Sequence, residues 1–145
     1  MKRNSHLFTR STWALLVLGM LYFGLNSCDF SPPEHSRVAQ AERGKAHYDK
    51  YCSSCHGPDG KGLQIDSLER QPANLTYLTR NYESNEFPVL AVARMIDGRK
   101  LSKSHQDRDM PLWGDVFAQE ELMDESQIKG RLAELIAYLM TIQEG

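Results

Sequence analysis

The chain has 145 residues and a formal net charge of −2 at pH 7, a length that suits one domain with its own hydrophobic core. Lys2, Arg3 and Arg10 lie in the first 27 residues, which contain no Asp or Glu, so the remainder is net acidic. A net acidic domain lacks the basic face that nucleic acid selects, and nucleic acid is therefore excluded as a partner. The same balance argues against a purely electrostatic attachment to anionic lipid.

Residues 1–27 have the layout of a secretory signal peptide. Their basic residues precede an unbroken apolar run from Trp13 to Leu25, as the charged and apolar regions of such a signal do. The run is shorter than the roughly 20 apolar residues that span a bilayer, so an uncleaved signal anchor is the weaker interpretation. Export would place the mature chain outside the cytoplasm.

The signal ends Leu25-Asn26-Ser27-Cys28, which resembles a bacterial lipobox. By this resemblance Cys28 is lipidated and becomes the new N-terminus, and Asp29 is similar to the signal that retains lipoproteins on the inner membrane in enteric-type bacteria. We therefore expect a lipid-anchored protein on the periplasmic side of the inner membrane. The inner leaflet of the outer membrane is an alternative, as is the soluble periplasm after cleavage near Ser27. Residues 28–37 contain two prolines and are predicted to form a flexible tether.

Residues 38–145 are predicted to form one all-α domain with long loops. A helix is expected from Val38 to Tyr51, and a Gly-, Pro-, Asp- and Asn-containing stretch from Gly57 to Asn74 indicates a long loop. A short helix is predicted around residues 73–81.

Two further helices are predicted near the C-terminus. The first covers residues 87–97, with Pro88 in its first turn and Gly98 at its end. The second carries an apolar stripe at helical spacing, and Asp124 with Gln127 predicts a capping box at its start. The stripe consists of Ile128, Leu132, Leu135, Ile136 and Leu139.

The sequence Cys52-Ser53-Ser54-Cys55-His56 is the attachment signature of a c-type haem. Two thiols at this spacing can form thioethers with the two vinyl groups of a porphyrin, and the adjacent imidazole can bind the iron. A zinc site would usually need four ligands in paired motifs, and no second CxxC or spaced histidine pair is present. A thioredoxin-like thiol pair would begin a helix in a βαβ unit, whereas this motif follows a predicted helix.

From about Ala39 to Gln143 the chain resembles the class I monohaem cytochromes c. The resemblance rests on Gly44, Tyr48 and the CSSCHG run, on Asp109 to Gly114 (DMPLWG), and on Leu135 to Leu139 (LIAYL). It implies a small cytochrome c-like fold of three to five helices around one covalently attached haem c. It also implies that Gly44 lets the two terminal helices cross closely, with Tyr48 and Tyr138 packing at the crossing.

The sixth iron ligand is expected to be Met110, which lies in an irregular stretch before Pro111 and matches the distal-ligand loop of the family. His105 is the next candidate. The helical methionines are assigned to core packing or to the surface. The full set of candidates is Met95, Met110, Met123, Met140, His35, His47 and His105.

Further residues are assigned to the haem by the resemblance or by their position. The family has a proline carbonyl that accepts a hydrogen bond from the proximal imidazole, and Pro72 matches it loosely, although an ordinary turn proline is the alternative. Trp113 is expected against the macrocycle or in the core. The cations of two loops, assigned to haem propionates or to solvent, are Arg99, Lys100 and Arg108.

Histidine and methionine ligation leaves no open iron position, so the predicted function is single-electron transfer rather than enzymatic conversion of a small-molecule substrate. The expected partners are membrane-bound or periplasmic redox proteins. A free-ranging carrier and a haem subunit of a respiratory complex are both compatible with the sequence. The alternative class is a five-coordinate haem enzyme or gas sensor, which requires Met110 to be off the iron.

Overall fold

The computed structural model describes residues 32–81, 86–101 and 109–144. Within these ranges it contains helices and no strand, as the all-α prediction requires. The helices are α1 (Arg37–Tyr51), α2 (Ser53–His56), α3 (Val89–Asp97), α4 (Trp113–Gln119) and α5 (Glu125–Thr141), with a 3₁₀ turn at Leu75–Tyr77.

Helix α5 begins with the predicted capping box. The Asp124 side chain accepts hydrogen bonds from the backbone N–H groups of Ser126 and Gln127, and the Gln127 side chain accepts from the backbone N–H of Asp124. These bonds satisfy donors that a helix start leaves without intrahelical partners. The predicted apolar stripe faces inward, and all five of its members are buried.

Helices α1 and α5 cross at Gly44, as expected. A Cβ atom added to Gly44 would lie 1.9 Å from the Glu134 carbonyl oxygen and 3.0 Å from Cβ of Tyr138, so only glycine permits this approach. The Tyr48 and Tyr138 rings pack beside the crossing with their centroids 5.1 Å apart. Tyr48 is fully buried and its hydroxyl donates to the Gly57 carbonyl at 2.6 Å, which ties the crossing to the loop after α2.

The stretch from Gly57 to Asn74 is a loop without helix, as predicted. The helix predicted around residues 73–81 is reduced to the 3₁₀ turn at Leu75–Tyr77, which begins at Asn74 with its side chain accepting from the Thr76 N–H. This loop is held against α2 by backbone hydrogen bonds. The N–H groups of Gly62 and Leu63 donate to the carbonyls of His56 and Cys55, at 2.8 and 2.9 Å respectively.

Helix α3 starts two residues later than predicted, because Pro88 is its N-cap rather than part of its first turn. It ends at Gly98 as predicted, with this glycine in the left-handed conformation at φ 75°. Helix α4 has no counterpart in the sequence prediction, which left the residues after Trp113 unassigned. Seven residues are too few to display a clear helical period, and Phe117 in its middle is fully buried.

The predicted signal peptide, Cys28 and residues 29–31 of the predicted tether lie outside the described residues. Residues 32–36 precede α1, whose first residue is Arg37, the last residue of the predicted tether. The N-cap Ser36 accepts a hydrogen bond from the Ala39 N–H at 3.1 Å. Among the described helices, none has the length and apolar character needed to cross a membrane.

Candidate functional site

Helices α1, α3 and α5, together with the loops around residues 70 and 110, enclose a cavity of about 570 Å³. This volume lies within the range of roughly 300–1,000 Å³ that small-molecule and cofactor sites occupy. Most of its wall is apolar, and His56 brings a metal-ligating nitrogen to it. The apolar residues on the wall include Leu68, Leu75, Leu78, Ala91, Val92, Ile96, Leu135 and Leu139.

The CSSCH motif lies on the wall of this cavity because helix α1 ends directly before Cys52, the first residue of the motif. Cys52 is the C-cap of α1, and a single turn of α2 follows. The N–H groups of Cys55 and His56 both donate to the Cys52 carbonyl, at 3.1 and 2.9 Å. This tight turn brings Cys52, Cys55 and His56 to the same cavity, the arrangement that attachment along one porphyrin edge requires.

Burial, reinforced by the neighbouring Cys55, raises the pKa of Cys52 to about 12. A thiol-disulfide oxidoreductase needs the opposite, since its attacking cysteine is activated by a lowered pKa. A buried thiol with a raised pKa therefore disfavours the thioredoxin-like alternative. As for the zinc alternative, no group of three or more His, Cys, Asp or Glu side chains within the described ranges is arranged to hold a metal ion.

The imidazole of His56 is oriented by the backbone. Its Nδ1–H donates to the Ala73 carbonyl at 2.9 Å, which leaves Nε2 as the nitrogen with an available lone pair. Burial lowers the pKa of His56 and the bond to Ala73 opposes that shift in part, so the ring is neutral at pH 7. A neutral, oriented imidazole is the form that binds iron.

The expected acceptor for this imidazole was Pro72, and that assignment is wrong by one residue. The Pro72 carbonyl faces Gly62 instead: a Cβ atom added to Gly62 would lie 2.5 Å from the Pro72 oxygen. Successive carbonyls in an extended chain point in different directions, so the next carbonyl, that of Ala73, faces His56. Pro72 still contributes to the cavity wall.

Among the described residues, two methionines line the cavity. Met110 lies in the irregular stretch before α4, as expected, and Met95 on α3 also lines the wall, although the sequence analysis assigned it to core packing or to the surface. Met95 is 41% exposed. The remaining described candidates lie elsewhere: Met123 packs against the core, Met140 and His35 are exposed, and His47 pairs with Glu134 at 3.0 Å. His105 lies outside the described residues.

Trp113 lines the cavity and also packs in an aromatic cluster. Its ring meets Tyr51 edge-on, with centroids 5.4 Å apart, and stacks on Phe117 at 5.9 Å. Tyr51 also lines the cavity, and its hydroxyl donates to the Glu121 carboxylate. Tyr51 was not predicted as a site residue from the sequence, although its position next to Cys52 is a usable signal.

The loop cations that the sequence assigned to haem propionates or to solvent lie in different environments. Arg99 is not on the cavity wall and pairs with Asp97 and Glu125. Lys100 is exposed, and Arg108 lies outside the described residues. Arg70, which the sequence analysis did not single out, lines the cavity beside Gln71. The Gln71 side chain bonds the backbone of Ile65 and Leu68 at 2.8 to 3.0 Å and so stabilises the loop that carries Arg70.

The family model described as "Cytochrome C oxidase, cbb3-type, subunit III" matches residues 39–124, more than half of the chain. The match contains the attachment motif, the long loop, α3, the Met110 stretch and α4. No curated protein and no solved structure matches the sequence significantly.

Proposed function

The chain belongs to the family of cbb3-type cytochrome c oxidase subunit III, whose domains are c-type cytochromes, and on this premise we propose that it transfers single electrons through one covalently bound haem c with His56 and Met110 as axial ligands. Family membership confirms the cytochrome c-like fold and a general role in haem-based electron transfer. The ligands, the stoichiometry and the location belong to the proposal.

The proposal is carried by the convergence of four side chains on one cavity. Cys52, Cys55, His56 and Met110 come from separate parts of the chain, the end of α1, the turn α2 and the stretch before α4, yet they line the same apolar space. An apolar wall favours a flat, largely apolar macrocycle and keeps water from the iron. Arg70 supplies a positive charge at the wall that suits the carboxylate end of such a group.

The residues at the site suit electron transfer better than bond-making chemistry. A haem with histidine and methionine on its two faces supplies a one-electron couple at a relatively high potential. The Ala73 carbonyl holds the His56 ring in one orientation, and Pro111 restricts the backbone after Met110. Because both ligands are fixed in this way, little needs to move when an electron arrives or leaves.

We further propose that the protein works on the periplasmic side of the inner membrane, attached through lipid on Cys28. Residues 28–36 would then lie between the lipid and α1, and such a segment reaches at most about 30 Å. A tether of this length keeps the domain close to membrane-bound redox proteins and raises its effective concentration there. A role as a haem subunit of a respiratory complex fits this arrangement and the name of the family.

The deciding experiment compares optical spectra of the purified protein, oxidised and reduced, with and without carbon monoxide. We expect a low-spin haem that resists acid–acetone extraction and does not bind carbon monoxide. Met110→Ala should become high-spin and bind carbon monoxide, because the sixth position opens. Met95→Ala is the matched control, since it removes the other thioether of the cavity.

Each outcome has a distinct meaning for the proposal. A protein without haem contradicts it entirely. If wild-type protein binds carbon monoxide readily, the iron has an open position and the chain acts as an enzyme or a gas sensor. If Met95→Ala opens the sixth position and Met110→Ala does not, the assignment of the sulfur ligand is wrong while electron transfer stands.

A further inference from the structure

Arg99 follows the C-cap of α3 and forms an ion-pair cluster with two carboxylates. Its Nε and Nη2 donate to the two Asp97 oxygens at 2.6 and 3.0 Å, and its Nη1 donates to Glu125 at 2.5 Å. Only 20% of the Arg99 side chain is exposed. The two-pronged contact with Asp97 gives the guanidinium a defined orientation as well as a charge partner. Asp97, Arg99 and Glu125 are called the ion-pair cluster below.

The chain that follows Met110 packs directly against this cluster. A Cβ atom added to Gly114 would lie 2.2 Å from Asp97 Oδ1 and 2.3 Å from Arg99 Nε, so the Gly114 backbone touches the cluster. Two residues earlier in the chain, Leu112 packs on Gly98. A Cβ atom added to Gly98 would lie 2.6 Å from Cδ2 of Leu112. The end of α3 therefore contacts the Met110 segment at two successive points.

These contacts fix the backbone two to four residues beyond Met110. A thioether is a neutral ligand, so its retention on iron depends on how firmly the protein holds the sulfur in place. Groups behind a metal ligand commonly change metal affinity by about 10- to 100-fold when they are removed. The ion-pair cluster occupies such a position relative to Met110, with Leu112 and Gly114 between them.

We propose that Arg99 is a positioning residue for Met110: through the ion-pair cluster it holds the Leu112–Gly114 backbone and thereby keeps the sulfur on the iron. This inference rests on the proposed function, since it requires a haem with Met110 as ligand. It assigns a role to an arginine that does not line the cavity. It also accounts for glycine at position 114, where a side chain would displace the guanidinium.

The test measures how easily the sulfur is displaced from ferric holo-protein by imidazole. Arg99→Gln should lower the imidazole concentration for half-displacement by roughly tenfold, weaken the far-red absorption of the sulfur–iron bond, and lower the midpoint potential. Arg94→Gln is the matched control, because it removes the same charge from an exposed position on α3, the helix that Arg99 follows. Equal behaviour of the two variants overturns the proposal.

Repeating the measurement in a Met110→Ala variant distinguishes an effect of Arg99 on the Met110 ligand from a general effect on the haem pocket. In Met110→Ala protein the competing sulfur is gone, so adding Arg99→Gln should leave the imidazole affinity unchanged. A tenfold change in that background as well would mean that Arg99 acts on the pocket rather than on Met110, which overturns the proposal. If Met110→Ala alone leaves the affinity and the far-red band unchanged, Met110 is not the ligand, and the positioning role proposed for Arg99 fails with that assignment.

Glu125→Gln provides a milder variant if Arg99→Gln does not retain its haem. It removes one of the two carboxylates that hold Arg99 and leaves Asp97 in place. We expect the same changes in imidazole displacement and far-red absorption, at smaller amplitude. Unchanged displacement by Glu125→Gln together with haem loss by Arg99→Gln would indicate a purely structural role and contradict the proposal.

Discussion

Backbone atoms, rather than other side chains, orient the key residues of this site. The Ala73 carbonyl selects the tautomer and the orientation of His56, and the Cys52 carbonyl accepts from the two N–H groups of the turn that presents Cys55 and His56. Backbone acceptors of this kind depend on the path of the chain and not on residue type. This explains why the acceptor of the His56 hydrogen bond was predicted one residue too early. The residue type suggested Pro72, whereas the direction of the backbone carbonyls makes Ala73 the acceptor.

Cys28 leads to a prediction at the scale of a single residue. If its thiol carries lipid, Cys28→Ala should move the protein in its native host from the detergent-extracted membrane fraction to the soluble periplasmic or unprocessed fraction, because the mild net charge of the domain gives little attachment by itself. Ser27→Ala is the control, since it changes the neighbouring residue and keeps the thiol. Membrane attachment that survives Cys28→Ala would argue for an uncleaved signal anchor.

At the scale of secondary-structure elements, the crossing of α1 and α5 determines the geometry of the site. The crossing places the C-terminal end of α1, and with it Cys52, beside Leu135 and Leu139 of α5 on one cavity wall. Burial of apolar side chains along α5 stabilises this pair by roughly 1.5–3 kcal/mol for each fully buried residue. The crossing is therefore both the main packing contact and the feature that positions the CxxCH motif.

Gly44→Ala tests the crossing. The added methyl group would meet the Glu134 carbonyl at 1.9 Å, so we expect the free energy of unfolding of the holo-protein to fall by about 3 kcal/mol. Gly130→Ala is the control within α5, because nothing lies within 4 Å of its added Cβ. That change should stabilise the protein by up to about 1 kcal/mol. Urea unfolding measures both, and equal effects would contradict the close-crossing interpretation.

The secondary-structure elements also show which local features can be predicted from a single sequence. The capping box of α5, the end of α3 at Gly98 and the loop after the motif were predicted because each depends on a local signal: a cap, a glycine in left-handed conformation, or a run of turn-forming residues. Helix α4 was not predicted, and the helix predicted around residues 73–81 is only the 3₁₀ turn at Leu75–Tyr77. Both are short segments whose conformation is stabilised by packing and by the backbone bonds of neighbouring loops.

At the scale of the whole molecule, Glu121 connects parts of the chain that are distant in sequence. Its carboxylate pairs with Lys50 at 2.8 Å and with Arg131 at 2.9 Å, and accepts a hydrogen bond from the Tyr51 hydroxyl. The bonds from Lys50, Tyr51 and Arg131 lower the pKa of Glu121 to about 2. The charge on Glu121 therefore stabilises the contact of α1 with α5 and the segment before it.

This shift predicts a dependence of stability on pH. The folded-state pKa is depressed, so the contribution of Glu121 is fully present above the ordinary pKa of 4.5 and is lost as the pH falls towards about 2, where the unfolded chain binds the additional proton. Glu121→Gln should reduce the loss of stability of the holo-protein between pH 4.5 and 2.5, measured by urea unfolding at each pH. Glu120→Gln, at an exposed position, is the control and should keep the wild-type slope.

The sequence by itself determined the fold class and the cytochrome family, and it led to the proposal of Cys52, Cys55 and His56 as attachment residues and of Met110 as ligand, because each of these depends on residue type at short spacing. The tertiary structure decided what depends on residues far apart in the chain. It placed the Ala73 carbonyl, rather than that of Pro72, against His56, brought Met95, Tyr51 and Arg70 to the cavity, and paired Arg99 with Asp97 and Glu125. The physical reason is that backbone direction and ion-pair partners are set by how the elements pack, and one-dimensional spacing carries no record of that packing.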